Sequence, residues 1–286
     1  MTPKEITFGL IETFTTSVWY EPITINVEDY PELEFSEKVK SIKINVRTLK
    51  TIIRQTAFAT SSIENRPILT GVNFKIEGNK LSAIATDSYR LSQKQIELTE
   101  TYESLNIIIP GRSLEELMKV LENNNEIVEM HFDRSKILFK YANLLFQSRL
   151  LEGNYPETSK LVPTDFPIVI KFNKESLATA IERASLLSSR DGNNSIVKLN
   201  LRPDNIVEIT SNSPEIGKVL EEVYPVDEIK GTPIKIAFSS KYILEALKVF
   251  NSSEITVNFT GEIRPFVLKG EYDENMIQLI LPVRTE

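Results

Sequence analysis

Two groups of residues have types and spacings that could do chemistry. The denser group is ENRPILTGVNF at 64 to 74 followed by IATDSYRL at 84 to 91. Asp87 stands three residues before Arg90, so its carboxylate can organise an Asx-type turn and pair with the guanidinium. Two readings fit. In one, Thr70-Gly71 is a strand kink and Thr86-Asp87-Ser88 a turn; in the other, the group is one wall of a pocket. A phosphate cradle does not fit, because the glycine-rich strand-to-helix context is missing. The second group is cationic: Arg47, Lys50 and Arg54 recur at i, i+3 and i+7 with no acidic residue among them. That spacing gives one helix a basic stripe opposite its apolar face. Such a stripe suits loose contact with phosphates, which needs positive potential and no reading of bases.

Two further segments are apolar and turn-prone. Leu150, Leu151, Gly153, Tyr155 and Pro156 lead into Lys160, Leu161 and Pro163, the composition of a linker between domains. LILPVR at 279 to 284 has a buried-strand pattern, and Pro282 makes it either a final edge strand or an apolar lip beside a groove.

Little else supports catalysis. There is no cysteine, which removes disulfide scaffolds, thiol nucleophiles and Cys-based metal sites, and His131 is the single histidine. His131 lies in an alternating strand pattern and reads as structural; Met118 and Met130 read as core. Carboxylates are plentiful, but no pair is framed by a motif. We therefore expect neither an enzyme nor a cofactor or metal. The 33 Lys and Arg against 40 Asp and Glu leave a formal charge of −7, which argues against a globally basic nucleic-acid binder, although distribution can outweigh the sum. No apolar run approaches the ~18 residues of a membrane span. The segment Met1 to Phe8 lacks the order of a secretory signal, so a reducing cytoplasm is expected. At 286 residues, two domains are the central expectation.

The elements that must position these side chains come in two like sets. KINVRTLKTIIRQTAFAT at 43 to 60 and KFNKESLATAIERASLLS at 171 to 188 have the same order of features. Asn45 and Asn173 stand at the candidate N-caps, about 128 residues apart, with helical patterns Leu49, Ile52, Ile53, Thr56 and Leu177, Ala180, Ile181, Ala184 behind them. A second helix pair recurs at nearly the same offset. Leu114, Leu117, Met118 and Leu121 match Ile243, Ala246, Leu247 and Phe250, and Lys119 matches Lys248. Ser113 and Glu116 have capping-box spacing.

Between the helices, segments such as GVNFKIEG, KLSAIATD, KILFKY, EITVNF and MIQLILPV read as antiparallel strands joined by tight turns, for instance at Glu77-Gly78-Asn79-Lys80. Each repeat is an α+β unit of about eight strands with two helices on one face. We expect units at 43–165 and 166–286, preceded by a leader at 1–42. EDYPEL at 28 to 33 echoes the close of the first repeat, LLEGNYPETSKL at 150 to 161, so the leader reads as the tail of a preceding repeat.

RPILTGVNF, ATDSYRL, LLEGNYPE, SPEIG and LILPVR, in that order, resemble the bacterial DNA polymerase III beta subunit, the sliding clamp of low-GC Gram-positive type. The resemblance covers about residues 25 to 286. It implies a DNA-clamp fold, with helices lining a hole for duplex DNA and sheets outside. It also implies processivity for a replicative polymerase and no catalytic activity. The partners implied are double-stranded DNA, a DNA polymerase III alpha-type subunit, a clamp loader, ligase and repair proteins, bound through short peptides.

Carried over by position, the peptide pocket comprises Leu69, Thr86, Ser88, Tyr89, Arg90 and Leu91 from the first repeat and Pro156, Lys160 and Leu161 from the junction. Ser239, Tyr242, Ile263, Pro265, Leu279, Leu281, Pro282, Val283 and Arg284 come from the second. Ser88 and Tyr89 replace a common Gly-His or Ser-His, and Lys160 a frequent Arg, which bears on peptide selectivity. The resemblance turns Arg47, Lys50, Arg54, Arg112, Lys119, Lys174, Arg183, Lys241 and Lys248 toward the DNA. One departure is large. The family's protomer has three repeats and closes a head-to-tail dimer ring, whereas most of the first repeat is missing here. That implies a truncated or naturally shortened clamp with an altered homo-oligomer, or a two-domain form that reaches six domains as a trimer. The alternative function is a non-encircling decoy or regulatory module that binds clamp-binding peptides.

Overall fold

The Asn caps and helical periodicities become helices α1 (Val46–Thr56), α2 (Gly111–Val120), α3 (Lys174–Leu186) and α4 (Ser240–Lys248) in a computed structural model that describes residues 41–188, 190–191, 194–215 and 217–284. The leader, expected to be the tail of a preceding repeat, Ile216 of the SPEIG motif and residues 285–286 lie outside the described residues. Asn45 Oδ1 accepts from Arg47 N at 2.9 Å, and Asn173 Oδ1 from Ser176 N at 3.0 Å. Each satisfies a donor that the first turn of a helix leaves unpaired. Leu49, Ile52, Ile53 and Thr56 are buried on α1, and Leu177, Ala180, Ile181 and Ala184 on α3.

The strands of the first half are β1 (Ile42–Asn45), β2 (Gly71–Thr86), β3 (Arg90–Pro110), β4 (Ile127–Phe132), β5 (Lys136–Tyr141) and β6 (Leu144–Arg149). Those of the second are β7 (Ile168–Asn173), β8 (Arg190–Asp191), β9 (Asn194–Leu201), β10 (Val207–Ser213), β11 (Gly217–Val223), β12 (Lys235–Ser239), β13 (Glu254–Phe259), β14 (Phe266–Gly270) and β15 (Met276–Ile280). They form three antiparallel sheets in the orders β1-β4-β5-β6, β11-β10-β9-β12 with β8 on β9, and β2-β3-β15-β14-β13-β7. The third sheet contains strands from both halves. One hydrophobic cluster gathers residues of the first half around α1 and α2, another those of the second around α3 and α4, and Phe58 packs against both.

Three expectations are corrected. The tight turn at Glu77–Lys80 is a bulge within the continuous strand β2. Ile76 faces Leu105, Gly78 faces Tyr102 and Lys80 faces Glu97, with Gly78 at φ +64°. The bulge switches the alternation, so that Val72, Phe74 and Ile76 before it and Leu81, Ala83 and Ala85 after it all enter one core. The chain reverses later, at 87–89.

The C-terminal strand is central rather than an edge, because β15 pairs with β14 on one side and β3 on the other. Both of its faces are covered, and Pro282 lies past its end, where a missing N–H costs no ladder bond. Finally, Ser113 is not an N-cap. Helix α2 begins at Gly111 behind Pro110, Ser113 Oγ accepts from Ser148 Oγ at 2.9 Å, and Glu116 pairs with Lys119. The start is shifted by packing: a Cβ on Gly111 would lie 2.9 Å from Thr60 Oγ1, so the helix can press close there. His131 is buried on β4 with Nε2 3.4 Å from Glu129 Oε2.

Candidate functional site

The turn from Thr86 to Arg90, which joins β2 to β3, is where the two halves meet. Asp87 Oδ1 accepts from the backbone N–H groups of Tyr89 and Arg90 at 2.9 and 3.0 Å. Thr86 Oγ1 donates to Arg90 O at 2.6 Å, and Ser88, at φ +79°, donates its N–H to Thr86 Oγ1. This is the Asx-type turn expected from the spacing. Arg90 itself is only 7% exposed. Its Nε donates to Asp87 Oδ2 at 3.1 Å, its Nη2 to Phe58 O at 2.6 Å, and its Nη1 to Glu245 Oε2 on α4. The guanidinium also lies against two rings, 5.1 Å from the centroid of Phe58 and 4.8 Å from that of Tyr242.

Alternation along β3 sends neighbours to opposite faces. Arg90 turns toward the helices, while Leu91 turns away and packs with Val267 and Leu279, flanked by Ile84, Val162, Phe166 and Ile277. These residues form an apolar floor shared by both halves. Tyr89, 60% exposed, stacks on Tyr242 at 6.3 Å and 17°. Its carbonyl accepts from Leu281 N at 2.9 Å, and Val283 N donates to Ala237 O at 2.7 Å, which fastens the C-terminal segment to the same place. The Tyr155 hydroxyl accepts from Thr86 N at 3.1 Å. Burial pushes that phenol well above its ordinary pKa, and the Thr86 N–H offsets part of the rise, so the hydroxyl stays neutral.

Of the residues expected in a pocket, Thr86, Tyr89, Arg90, Leu91, Tyr242, Leu279 and Leu281 are joined by these contacts. Ser88 is exposed within the turn, Ser239 is buried at the start of α4, and Pro282 is half-buried. The hydrogen bonds, ring stacking and apolar floor do not extend to Leu69, Pro156, Lys160, Leu161, Ile263 or Pro265. Leu69 is buried in a short 3-10 turn, Pro67–Thr70. Ile263 and Leu161 are exposed, as is Arg284. A cleft of about 600 Å³ opens on the helix side of the turn, lined by Phe58, Ile63, Tyr89, Tyr242, Glu245 and Lys248 among others.

Sequence reasoning missed the polar network beside this turn. Asp273 lies at the β14–β15 connection and is 3% exposed. It accepts from Asn251 N, Ser252 N and Ser252 Oγ in the second half and from Gln55 Nε2 of α1 at 3.2 Å. Burial alone would raise its pKa, but the Asn251 and Ser252 donors and nearby Lys94 outweigh it and hold the carboxyl below its ordinary value. Gln278 Nε2 donates to Ser92 Oγ at 2.8 Å and to Gln55 O at 3.2 Å, and Ser92 Oγ donates to the same carbonyl. No local signal marks these residues; each is an ordinary polar side chain until the halves meet.

The cations divide into two kinds. Lys50 Nζ donates to Leu121 O at the end of α2, Arg54 to Val249 O at the end of α4, and Lys174 to Phe250 O. The first two satisfy carbonyls that helix C-termini leave open, and the third one just past the end of α4. Arg183 is paired with Glu221 and Lys119 with Glu116. Arg47, Arg112, Lys241 and Lys248 are exposed and have no ion pair among the described residues. No helix among the described residues is long and apolar enough to cross a membrane.

Two like α+β halves joined through one sheet, each with two helices on its sheets, define the chain as a protein of the DNA-clamp class. Residues 43–157 match the central domain of the DNA polymerase III beta subunit, and residues 159–284 match its C-terminal domain. The chain is 48% identical to the beta sliding clamp of Bacillus subtilis strain 168 over 262 residues, 91% of this chain and 69% of that protein. It is 43% identical to that of Staphylococcus aureus over 99% of this chain and 75% of the relative. The crystal structure of the DNA polymerase sliding clamp from Bacillus subtilis superposes with a TM-score of 0.86 at 48% identity, covering 92% of this chain and 69% of that one. The chain belongs to the DNA polymerase III beta subunit family, the beta sliding clamps.

Proposed function

We propose that this sliding clamp holds duplex DNA through non-specific contacts on its helix face and docks partner proteins through short peptides at the junction of its halves. The observation that carries the docking reading is the junction itself, where the Tyr89–Tyr242 stack and, on the opposite face of β3, the apolar cluster of Leu91, Val267 and Leu279 are each built from both halves at once. Apolar walls of that kind bury Leu or Phe anchors, while neighbouring polar groups set a peptide's direction. The partners proposed are a DNA polymerase III alpha-type subunit, the clamp loader, ligase and repair proteins. The role is processivity, with no catalytic step.

The exposed Arg47, Arg112, Lys241 and Lys248 support the DNA reading, since weak phosphate contact lets a clamp slide. Separate hydrophobic clusters support domains at 43–165 and 166–286. Assembly with further copies is supported by strand β11, whose outer edge is unpaired among the described residues and beside which Leu220 and the nearby Leu186 of α3 are exposed.

Two measurements test this function. In the first, a fluorescein-labelled, polymerase-derived peptide with Leu and Phe anchors is titrated against the wild-type chain and Tyr89→Ala. Truncating an exposed aromatic of a small pocket should weaken binding about tenfold, and equal affinity would remove the pocket. In the second, the chain is loaded on nicked circular DNA, which is then linearised. An encircling clamp is lost from free ends, and retention on the linear product would refute encirclement.

A further inference from the structure

We propose that Glu245, which is not among the residues expected to bind the peptide, positions that pocket through Arg90 by holding the Tyr89–Tyr242 wall in place. The proposal rests on the peptide-docking reading above. Three side-chain nitrogens of Arg90 are engaged, and two of the acceptors, Asp87 and the Phe58 carbonyl, belong to the first half of the chain. Glu245 is the acceptor supplied by the second half, 155 residues away in sequence. It is therefore the ionic tie between the turn that carries Tyr89 and the helix that carries Tyr242.

Tyr242 and Glu245 are three residues apart on α4 and share a face. The guanidinium that Glu245 holds lies against the Tyr242 ring, 4.8 Å from its centroid, and Tyr89 stacks on the same ring at 6.3 Å. Removing the charge of the carboxylate, as Glu245→Gln does, turns a charge-assisted hydrogen bond to Nη1 into a weaker neutral one in a site where Arg90 is almost wholly buried. Arg90 then relaxes toward Asp87, the support against Tyr242 is lost, and Tyr89 gains rotamers that a peptide must freeze again on binding.

The position of Glu245 has no such explanation in DNA contact. It puts a negative charge between Lys241 and Lys248 on the surface proposed to meet phosphates, in a cleft that also includes Glu115. Its side chain is one-third exposed, and Arg90 accounts for its orientation.

The test is a double-mutant cycle on peptide affinity. The probe is the same fluorescein-labelled peptide, followed by anisotropy against the wild-type chain, Glu245→Gln, Tyr89→Ala and the double variant, with folding checked by circular dichroism. Glu245→Gln should raise Kd roughly tenfold. Because it acts through the Tyr89 wall, the double variant should bind no worse than Tyr89→Ala alone, whereas a general loss of structure would add to the Tyr89 effect. Glu245→Asp, which keeps the charge but shortens the reach, should lose less. Arg90→Lys, whose single ammonium nitrogen cannot span the three acceptors that Nε, Nη1 and Nη2 reach, should match Glu245→Gln and replaces it in the cycle if that variant does not fold. Wild-type affinity in Glu245→Gln, or additive losses in the double variant, overturns the proposal and leaves the pocket standing. Failure of the wild-type chain to bind the peptide removes both.

Discussion

Asp273→Asn tests whether the buried network holds the two halves together. The carboxylate's two oxygens receive donors from Asn251, Ser252 and Gln55: Oδ1 faces Asn251 Nδ2 and Gln55 Nε2, and Oδ2 faces Ser252 N and Oγ. An asparagine has one acceptor oxygen. Whichever way its amide turns, an NH₂ group meets N–H or O–H donors, and about two of them lose their acceptor. Each unpaired buried donor costs about 1–3 kcal/mol. Relief from burying a charge offsets part of that, so we expect a net loss of roughly 2–4 kcal/mol. Urea unfolding followed by circular dichroism measures it.

The pH dependence gives a second check. The folded-state pKa of Asp273 is depressed. Its contribution is therefore fully present above the unfolded carboxylate value of about 3.9 and is lost as pH falls through the lower folded value. The stability gap between wild type and Asp273→Asn should stay constant from about pH 8 to pH 5 and narrow below about pH 4. A loss under about 0.5 kcal/mol, or a gap that does not close in acid, refutes the reasoning.

Gly270→Ala strikes the same network from the side. A Cβ there would lie 2.5 Å from Ser252 Oγ and 2.7 Å from Asp273 Oδ2, so about 1–3 kcal/mol of stability should be lost in urea. A loss near zero would mean that the network yields freely. Lys50 and Arg47 should separate two roles within one stripe. Lys50→Ala removes a donor from the end of α2 and should cost about 1 kcal/mol of stability. Arg47→Ala should leave stability within about 0.5 kcal/mol and lower the salt dependence of DNA binding by about one ion. The reverse pattern would show that the stripe's roles are assigned wrongly.

Much of the local structure was legible in the residues. Asn45 and Asn173 cap α1 and α3 because a side-chain oxygen two or three residues away reaches an open N–H, whatever the rest of the chain does. The buried stripes on all four helices follow from their spacing, and the Asp87 turn from one carboxylate and its neighbours. Errors arose where a local signal competed with packing. Gly78 reads as a turn residue, but apolar side chains on both sides of it belong to one core, so the strand continues through a bulge. Pro282 reads as the mark of an edge, but it lies just outside a strand covered on both faces.

The sequence alone determined the repeat, the α+β class, the helices and the family resemblance, because each is set by residues within a few turns of one another or by motifs kept in order. Only the tertiary structure decided that β15 inserts between β14 and β3, that Arg90 faces α4 while Leu91 faces the apolar floor, and that Lys50 and Arg54 bond helix ends while Arg47 stays exposed. Those outcomes depend on sheet register and on which surfaces two separate cores bring together. A side chain's own neighbours specify its backbone conformation, but what it touches 155 residues away is specified only when both halves have packed.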